Sequence, residues 1–342
     1  SPSSAPGAEV ARVAVVGAGL AGLVIAGGLR ARHEVTLFEK SRGPGGRLAT
    51  RRAARFEFDH GAQYFRARTA AFRAFLAPLL AAGAVAPWPA RLATVAQGAV
   101  LERRDAGSDD PHFVGVPGMN AIGRHLAADM AQDVQLRLST RVIAADRDRA
   151  HWQLTVAADD GRHSSGEFDW LIVTLPLAQT RALLAGDPGV TRATAGRAMQ
   201  GCYTLMLGFD TLPELPFDGA FVRAADISWI ALNSSKPGRG SAPALVVHSG
   251  NAWAQARLER DRDTVRDHLL AAAARATGID TGSAVHRRVH RWRYANAVQC
   301  ERAPCHLDRA QRLGIAGDWM ISGRVESAFT SAQALLARME QG

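Results

Sequence analysis

The segment that most narrows what this chain folds into is "RVAVVGAGLAGLVIAGGLRARHEVTLFE", Arg12 to Glu39. Within it, Val13 to Leu29 is seventeen residues without a charge. A membrane-spanning helix needs about 20 apolar residues. This run is shorter, and Gly17, Gly19, Gly22, Gly27 and Gly28 interrupt it. "RVAVV" is β-branched and continuous, as a parallel strand buried on both faces should be. Gly17 to Gly22 then matches G-x-G-x-x-G, a helical stretch follows to about Arg32, and "EVTLFE" reads as a second strand ending in Glu39.

Each part of that spacing has a physical task. Gly17 permits the tight strand-to-helix turn, Gly19 leaves room for a pyrophosphate, and Gly22 lets helix and strand pack closely. The backbone N–H groups of Leu20 and Ala21, with the helix dipole, then hold phosphate oxygens. Glu39 stands 20 residues after Gly19, where a carboxylate accepts hydrogen bonds from ribose hydroxyls and repels a 2′-phosphate. The order strand, glycines, helix, strand, acid predicts a dinucleotide site.

Two further stretches favour a flavin over a nicotinamide dinucleotide at that site. After Glu39 comes "KSRGPGGRLATRR", where a nicotinamide domain would normally continue into a helix. Its glycines and Arg47 suit a second grip on a pyrophosphate or ribityl chain, so Lys40, Gly46 and Arg47 join the expected set. Nearly three hundred residues later, "RLGIAGDWMISGRVESAFTSAQALLARM" reads as a strand, then Gly317-Asp318, then a helix with Val325, Phe329, Ala332, Leu336 and Met339 at helical steps. Asp318 there suits a ribityl hydroxyl, and the dipole of the helix beginning near Val325, Glu326 and Ala328 suits negative charge developing on a reduced flavin. "VQLRLSTRVIAAD" reads as a strand pair with the Val142 backbone near adenine. "FDWLIVTLP" reads as a further buried strand.

Composition sets the remaining bounds. The chain has 342 residues, enough for two domains, with 47% hydrophobic and 21% charged residues. Its formal charge of +9 is almost all arginine, since Lys40 and Lys236 are the only lysines. The basic residues are scattered without a long block, so no nucleic-acid module is expected. Three cysteines, Cys202, Cys300 and Cys305, do not make a disulfide scaffold. They fit a reducing, cytoplasmic setting. No zinc-finger, Walker, H-E-x-x-H or G-x-S-x-G pattern occurs, and neither Cys300, Cys305 and His306 nor "DAGSDDPH" (Asp105 to His112) is expected to hold a metal. The opening residues lack a basic n-region and read as a loose tail.

The strings "GPGGRLATRR" (Gly43 to Arg52), "FDHGAQYFRAR" (Phe58 to Arg68), "NSSKPGR" (Asn233 to Arg239), "VVHSGNAW" (Val246 to Trp253), "HRWRYANA" (His290 to Ala297) and "AGDWMISGRVESAFTSAQALL" together resemble the amine-oxidase-like flavoprotein superfamily. Within it the chain is most similar to the bacterial renalase-like branch. The resemblance spans nearly the whole chain from about residue 11. It implies an α/β fold: a Rossmann-like FAD-binding domain of the glutathione-reductase and amine-oxidase type, with a second mixed-sheet α+β substrate domain. It also implies noncovalent FAD and removal of a hydride from isomeric (2- or 6-) dihydroNAD(P), giving NAD(P)+ and, with dioxygen, hydrogen peroxide. Amine oxidation, desaturation and non-catalytic flavin binding stay open as alternatives. Relatives that oxidise amines usually carry a lysine near the flavin and an aromatic pair around the amine. Here Lys236 sits in a Ser-Lys-Pro-Gly loop, and the tyrosines are Tyr64, Tyr203 and Tyr294.

A donor that is already a dihydropyridine needs positioning and exclusion of water, not an acid or base. The residues expected to line the reaction are His248, Trp292, Tyr294, Tyr64 and Asn233, and His60, Gly61, Ala62 and Gln63 are expected beside the flavin. The flavin domain is expected over residues 8–68, 116–178 and 285–342, the substrate domain over 69–115 and 179–284, with 1–7 a tail. "CYTLMLGFD", "ISWIAL" and "ALVVHSG" predict a mixed or antiparallel sheet in the second, and "RDTVRDHLLAAAARAT" a helix. The expected partners are a reduced nicotinamide dinucleotide and dioxygen, with no nucleic acid and no membrane.

Overall fold

A computed structural model describes residues 10–105, 110–159, 161–223, 225–299 and 302–341. The expected tail (1–7), Cys300 and part of the Asp105–His112 loop lie outside the described residues. The chain divides into two compact units: Ser1–Gly46 with Gly123–Arg197 and Gln299–Gly342, and Arg47–Ile122 with Ala198–Val298.

The first unit is built on a six-stranded sheet in the order Cys305–Asp308, Leu313–Ala316, Trp170–Val173, Arg12–Val16, Glu34–Phe38, Val134–Arg137. All neighbours are parallel except the Cys305–Asp308 edge strand. Parallel strands lie between covered faces, which is why Val13, Ala14, Val15 and Leu171 to Val173 are fully buried without alternation. The helices Leu20–Leu29 and Val325–Glu340 belong to this unit. They approach closely because Gly28 has no side chain: a Cβ there would stand 2.6 Å from Leu336 Cδ1. A three-stranded antiparallel sheet, Arg141–Arg147, Trp152–Ala158 and Gly161–Phe168, is inserted in the chain between strands of the main sheet.

The second unit is a seven-stranded mixed sheet in the order His286–Ala297, Met199–Gly208, Ala244–Ser249, Ile227–Leu232, Gly219–Val222, Arg91–Ala96, Ala99–Asp105. Its one parallel pair is Gly219–Val222 with Arg91–Ala96. Strand alternation sorts its two faces. Leu205, Leu207, Val247 and Ile230 share a core with Val265, Leu269, Ala272 and Ala276 of the helix Arg262–Thr277. That helix is capped by Asp261, whose carboxylate accepts from the Asp263 and Thr264 N–H groups. The opposite face packs Met206, Ala244 and Val246 against Phe56 and Phe58 of the hairpin Thr50–Ala53/Phe56–Asp59, and it carries the polar residues discussed below.

Three expectations need correction. The unit boundaries differ: 47–68, 116–122 and 285–298 belong to the second unit and 179–197 to the first. The strand His286–Ala297 pairs along its length with Met199–Gly208, and buried Arg197 holds residues 179–197 to the first unit through the carbonyls of Met320 and Ala303. "VQLRLSTRVIAAD" is not a strand pair: Val134–Arg137 extends the parallel sheet while Arg141–Arg147 starts the antiparallel one. Left-handed Ser139 (φ 51°) lies between them. Asp318 does not lead directly into the long helix in sequence, although its turn packs against that helix. A 3₁₀ turn, Asp318–Met320, and left-handed Gly323 (φ 70°) separate it from Val325. No helix among the described residues is long and apolar enough to cross a membrane.

Candidate functional site

In the first unit the expected glycines and the acid converge. Gly17 takes a left-handed φ of 105°. A Cβ on Gly22 would sit 1.9 Å from the Gly17 carbonyl oxygen, whereas one on Gly19 would meet nothing within 4 Å. Gly22 is therefore required by packing, and Gly19 is bare toward open space. The helix Leu20–Leu29 starts with no side-chain cap and no acidic residue in its first turn, so its first N–H groups are donors without a partner inside the helix. The loop after Glu39 closes on this turn: Gly45 N–H donates to the Ala18 carbonyl at 2.7 Å, and a Cβ on left-handed Gly46 would lie 3.2 Å from Gly19 Cα.

Glu39 is buried, with Oε2 accepting from Ala18 N–H at 2.9 Å and Oε1 from Ser41 N–H at 2.8 Å. This fixes the carboxylate at the strand end and leaves a lone pair on each oxygen for a ribose diol. Lys40 beside it is exposed. Thr140 N–H donates to the Glu39 carbonyl, which brings the buried Val142, two residues on, into the same neighbourhood. At the other end of the chain Asp318 is buried, and Gly317 N–H donates to Ser331 Oγ at 2.9 Å. The helix Val325–Glu340, holding Val325, Glu326 and Ala328, also begins without a side-chain cap. A glycine cradle with room at Gly19, an uncapped helix start and an anchored ribose acceptor fit FAD.

Arg47, His60, Gly61, Ala62 and Gln63, expected with these, lie in the second unit. Arg47 Nη1 donates to the Ala295 carbonyl, and Ala62 N–H donates to the Arg47 carbonyl. Gly61 is obligatory, since a Cβ there would stand 2.0 Å from the Arg47 carbonyl oxygen. The His60 carbonyl accepts both Thr204 Oγ1 and Trp292 Nε1 at 2.8 Å, and the Trp292 ring stacks on His60. Trp292 therefore fastens the 59–63 segment to the sheet. Tyr294 lies two residues further along the same strand and is half-buried. Tyr64 packs against His112, Trp88 and Trp229.

Asn233 needs correction as a candidate reacting group. It is fully buried, its Oδ1 accepts from Asp59 N–H at 3.3 Å, and its Nδ2 donates to the Glu57 carbonyl at 2.8 Å. Both ends of the amide brace the strand Phe56–Asp59.

That strand carries what the sequence reading missed. Asp59 Oδ2 receives Lys236 Nζ at 3.2 Å and Arg239 Nη2 at 2.5 Å, while Oδ1 receives Thr50 Oγ1 at 2.7 Å and Met119 N–H at 3.0 Å. All three charged side chains are at most 1% exposed. Burial alone would raise the Asp59 carboxyl, but the two cations and the Met119 N–H outweigh it and hold it below the ordinary range. Burial pulls Lys236 down to about 8 despite Asp59. Its ammonium also faces Trp88, 5.5 Å from the ring centre.

Lys236 Nζ also donates to Gln63 Oε1 at 3.3 Å, as does Trp229 Nε1. Gln63 Nε2 faces His248 Nε2 at 3.3 Å. His248, Trp229 and Thr204 stand opposite one another on three adjacent strands, on one face of the sheet. Burial, then the Lys236 charge, lowers His248 to about 4, and burial with neighbouring positive charge lowers His60 to about 4 and His290 to about 3. These histidines are neutral at pH 7. The cluster around Gln63 thus holds one carboxylate against two cations, surrounded by neutral donors and aromatic walls. The sequence signal for it was present, as lone charges within "FDHGAQYF" and "SSKPGR". What the sequence could not show was that residues 177 apart meet.

Comparison with known proteins agrees with this geometry. The NAD(P)-binding Rossmann-like domain matches residues 15–79, and the flavin containing amine oxidoreductase family matches residues 68–335. Among solved structures, the chain is similar to a protein provisionally called a protoporphyrinogen oxidase from Exiguobacterium sp. 255-15, with TM-score 0.77 and 13% identity, covering 98% of this chain and 100% of that one. It is similar to cyclohexylamine oxidase from Brevibacterium oxydans, with TM-score 0.71 and 11% identity, covering 97% and 99%. It is also similar to putrescine oxidase bound to putrescine, with TM-score 0.70 and 14% identity, covering 98% and 100%. At these identities the structures establish a shared fold. The chain belongs to the flavin-containing amine oxidoreductases, and FAD is the cofactor that its glycine cradle, Glu39 and the C-terminal helix start are built to hold.

Proposed function

We propose that this FAD-dependent oxidoreductase takes a hydride from isomeric (2- or 6-) dihydroNAD(P), in the manner of the renalase-like branch that its sequence strings resemble. The observation that carries the reading is the charge balance around Gln63. The buried carboxylate there is Asp59, and Lys236 and Arg239 both bind it. An amine arrives as a cation, must lose a proton, and needs an anionic partner. It would meet a surplus of positive charge, a claimed carboxylate and histidines already neutral. A dinucleotide donor is anionic, and its ring carries the hydride ready to leave, so it needs no base.

Bound noncovalently, FAD supplies the hydride acceptor and returns the electron pair to dioxygen as hydrogen peroxide. The chain's own residues position the ring. Trp292 and Thr204 hold the 59–63 segment on the sheet. Gln63 and His248 offer neutral hydrogen-bonding groups, and Tyr64 and Trp229 add aromatic walls. The second reading is amine oxidation. It rests on the family match and on Lys236, a buried amine lowered to about 8.

Oxygen consumption under excess donor separates the two. The proposal expects uptake with 2- or 6-dihydroNAD(P) and none with putrescine or cyclohexylamine. Uptake with amines alone would replace it by the second reading. A yellow supernatant after acid precipitation would show that the flavin is not covalently bound.

A further inference from the structure

The hydrogen bonds around Gln63 fix its amide without ambiguity. Lys236 Nζ and Trp229 Nε1 are donors only, and both lie 3.3 Å from the same Gln63 atom, which must be the carbonyl oxygen. The carbonyls of Asp59 and Gly61 are acceptors only, and both face the other end, which must be the NH₂. Four contacts with partners of settled role therefore agree. Gln63 and Lys236 are both buried, so no water competes for these positions.

The consequence falls on His248. Its Nε2 lies 3.3 Å from the Gln63 NH₂. An amide nitrogen offers no lone pair, so a ring N–H there would have no acceptor. With one Gln63 proton shared between the Gly61 carbonyl and the ring, at 3.2 and 3.3 Å, that ring nitrogen presents its lone pair. We propose that Lys236, acting through Gln63, locks His248 in the neutral tautomer protonated on Nδ1, making His248 a hydrogen-bond donor toward a bound carbonyl-bearing ring. Lys236, Trp229 and Gln63 are then positioning residues. Among the described residues no acceptor is bonded to His248 Nδ1, and the side chain is only half-buried. Its N–H is available to an acceptor such as the carboxamide oxygen of a nicotinamide ring. That last identification rests on the proposed function, whereas the tautomer does not.

The test is made on the holoenzyme carrying ¹⁵N-labelled histidine, by long-range proton–nitrogen correlation, with His248 assigned by its loss in His248→Asn. The expected spectrum shows a pyrrole-type Nδ1 and a pyridine-type Nε2 in the wild type, an Nδ1–H preference weakened in Lys236→Met, and one absent in Gln63→Leu. A wild-type ring protonated on Nε2, or a cationic ring at neutral pH, overturns the proposal even if neither variant folds. A wild-type pattern surviving in folded Gln63→Leu removes Gln63 as the lock, and an unchanged pattern in folded Lys236→Met removes the lysine.

The donor role is read separately from kcat and KM with 6-dihydroNAD. In His248→Asn the amide stands where Nδ1 stood, and in His248→Gln where Nε2 stood. The asparagine variant should keep at least tenfold more kcat/KM, and the reverse order contradicts the role. If the wild type turns over no dihydronicotinamide donor, the proposed function fails, while the spectrum still decides the tautomer.

Discussion

Replacing Asp59 by Asn tests the buried charge cluster most severely. The asparagine oxygen can keep the Thr50 and Met119 contacts now made by Oδ1. Its NH₂ group then meets Lys236 Nζ and Arg239 Nη2 where Oδ2 accepted both. Two cations, each at most 1% exposed, are left with no anion. Removing one partner of a buried ion pair costs about 3–5 kcal/mol, against a typical total stability of about 5–15 kcal/mol. At roughly 2–4 °C per kcal/mol for a unit of this size, the melting temperature should fall by roughly 6–20 °C. Thermal and urea unfolding, followed by circular dichroism on the holoenzyme, measure this. Asp59→Asn/Lys236→Met removes one stranded cation and should recover part of the loss. Acid gives an independent check. The native Asp59 carboxyl titrates below the ordinary carboxylate range. Its contribution is thus complete above the unfolded value near 3.9 and disappears as pH falls through the native value, roughly following the linkage relation. Asp59→Asn should lack that acid-side loss. A variant within about 0.5 kcal/mol of wild type, the scale of an ordinary surface change, would refute the reasoning.

Two glycines of the cradle should behave oppositely. Gly22→Ala forces a Cβ to 1.9 Å from a backbone oxygen and should destabilise the fold as well as lose flavin. Gly19→Ala meets nothing within 4 Å and should melt like wild type, yet bind FAD at least tenfold more weakly in apoprotein titration, about 1.4 kcal/mol. Lys236 titrates near 8 when native and near 10.5 when unfolded. Between those values the unfolded chain holds more protons, so stability should rise with pH, and urea midpoints of Lys236→Met should not show that rise. Trp292→Phe keeps the ring on His60 but loses the bond to its carbonyl. Thr204 still donates there, so the urea-derived loss should be only about 0.5–1.5 kcal/mol.

The nucleotide cradle was legible because it is local. A strand, three glycines, a helix and a terminal acid lie within one stretch, and each residue type answers to a backbone conformation or a close approach. The second unit's sheet was legible for the same reason: "CYTLMLGFD", "ISWIAL" and "ALVVHSG" are continuous apolar runs that became adjacent strands. The boundaries were not. Whether 285–297 belongs to one unit or the other depends on which strand it pairs with, and its charged run "HRRVHRWRYANA" gives no hint. The role of Lys236 was hidden for a deeper reason. A lysine in a Ser-Lys-Pro-Gly loop reads as exposed, and only the fold encloses it beside Asp59 and Gln63. Asn233 was misjudged in the same way, because its backbone partners lie 174 and 176 residues away.

The central claim is that the charge and tautomer state around Gln63 suit a ready-made hydride donor and not an amine. Anaerobic rapid mixing of the purified holoenzyme with 2- or 6-dihydroNAD(P), and separately with simple amines, tests it most directly through the visible flavin absorbance. The account predicts rapid bleaching by the dihydronicotinamide and an unchanged spectrum with amines. Bleaching by amines, with none by either dihydronicotinamide isomer, would contradict it.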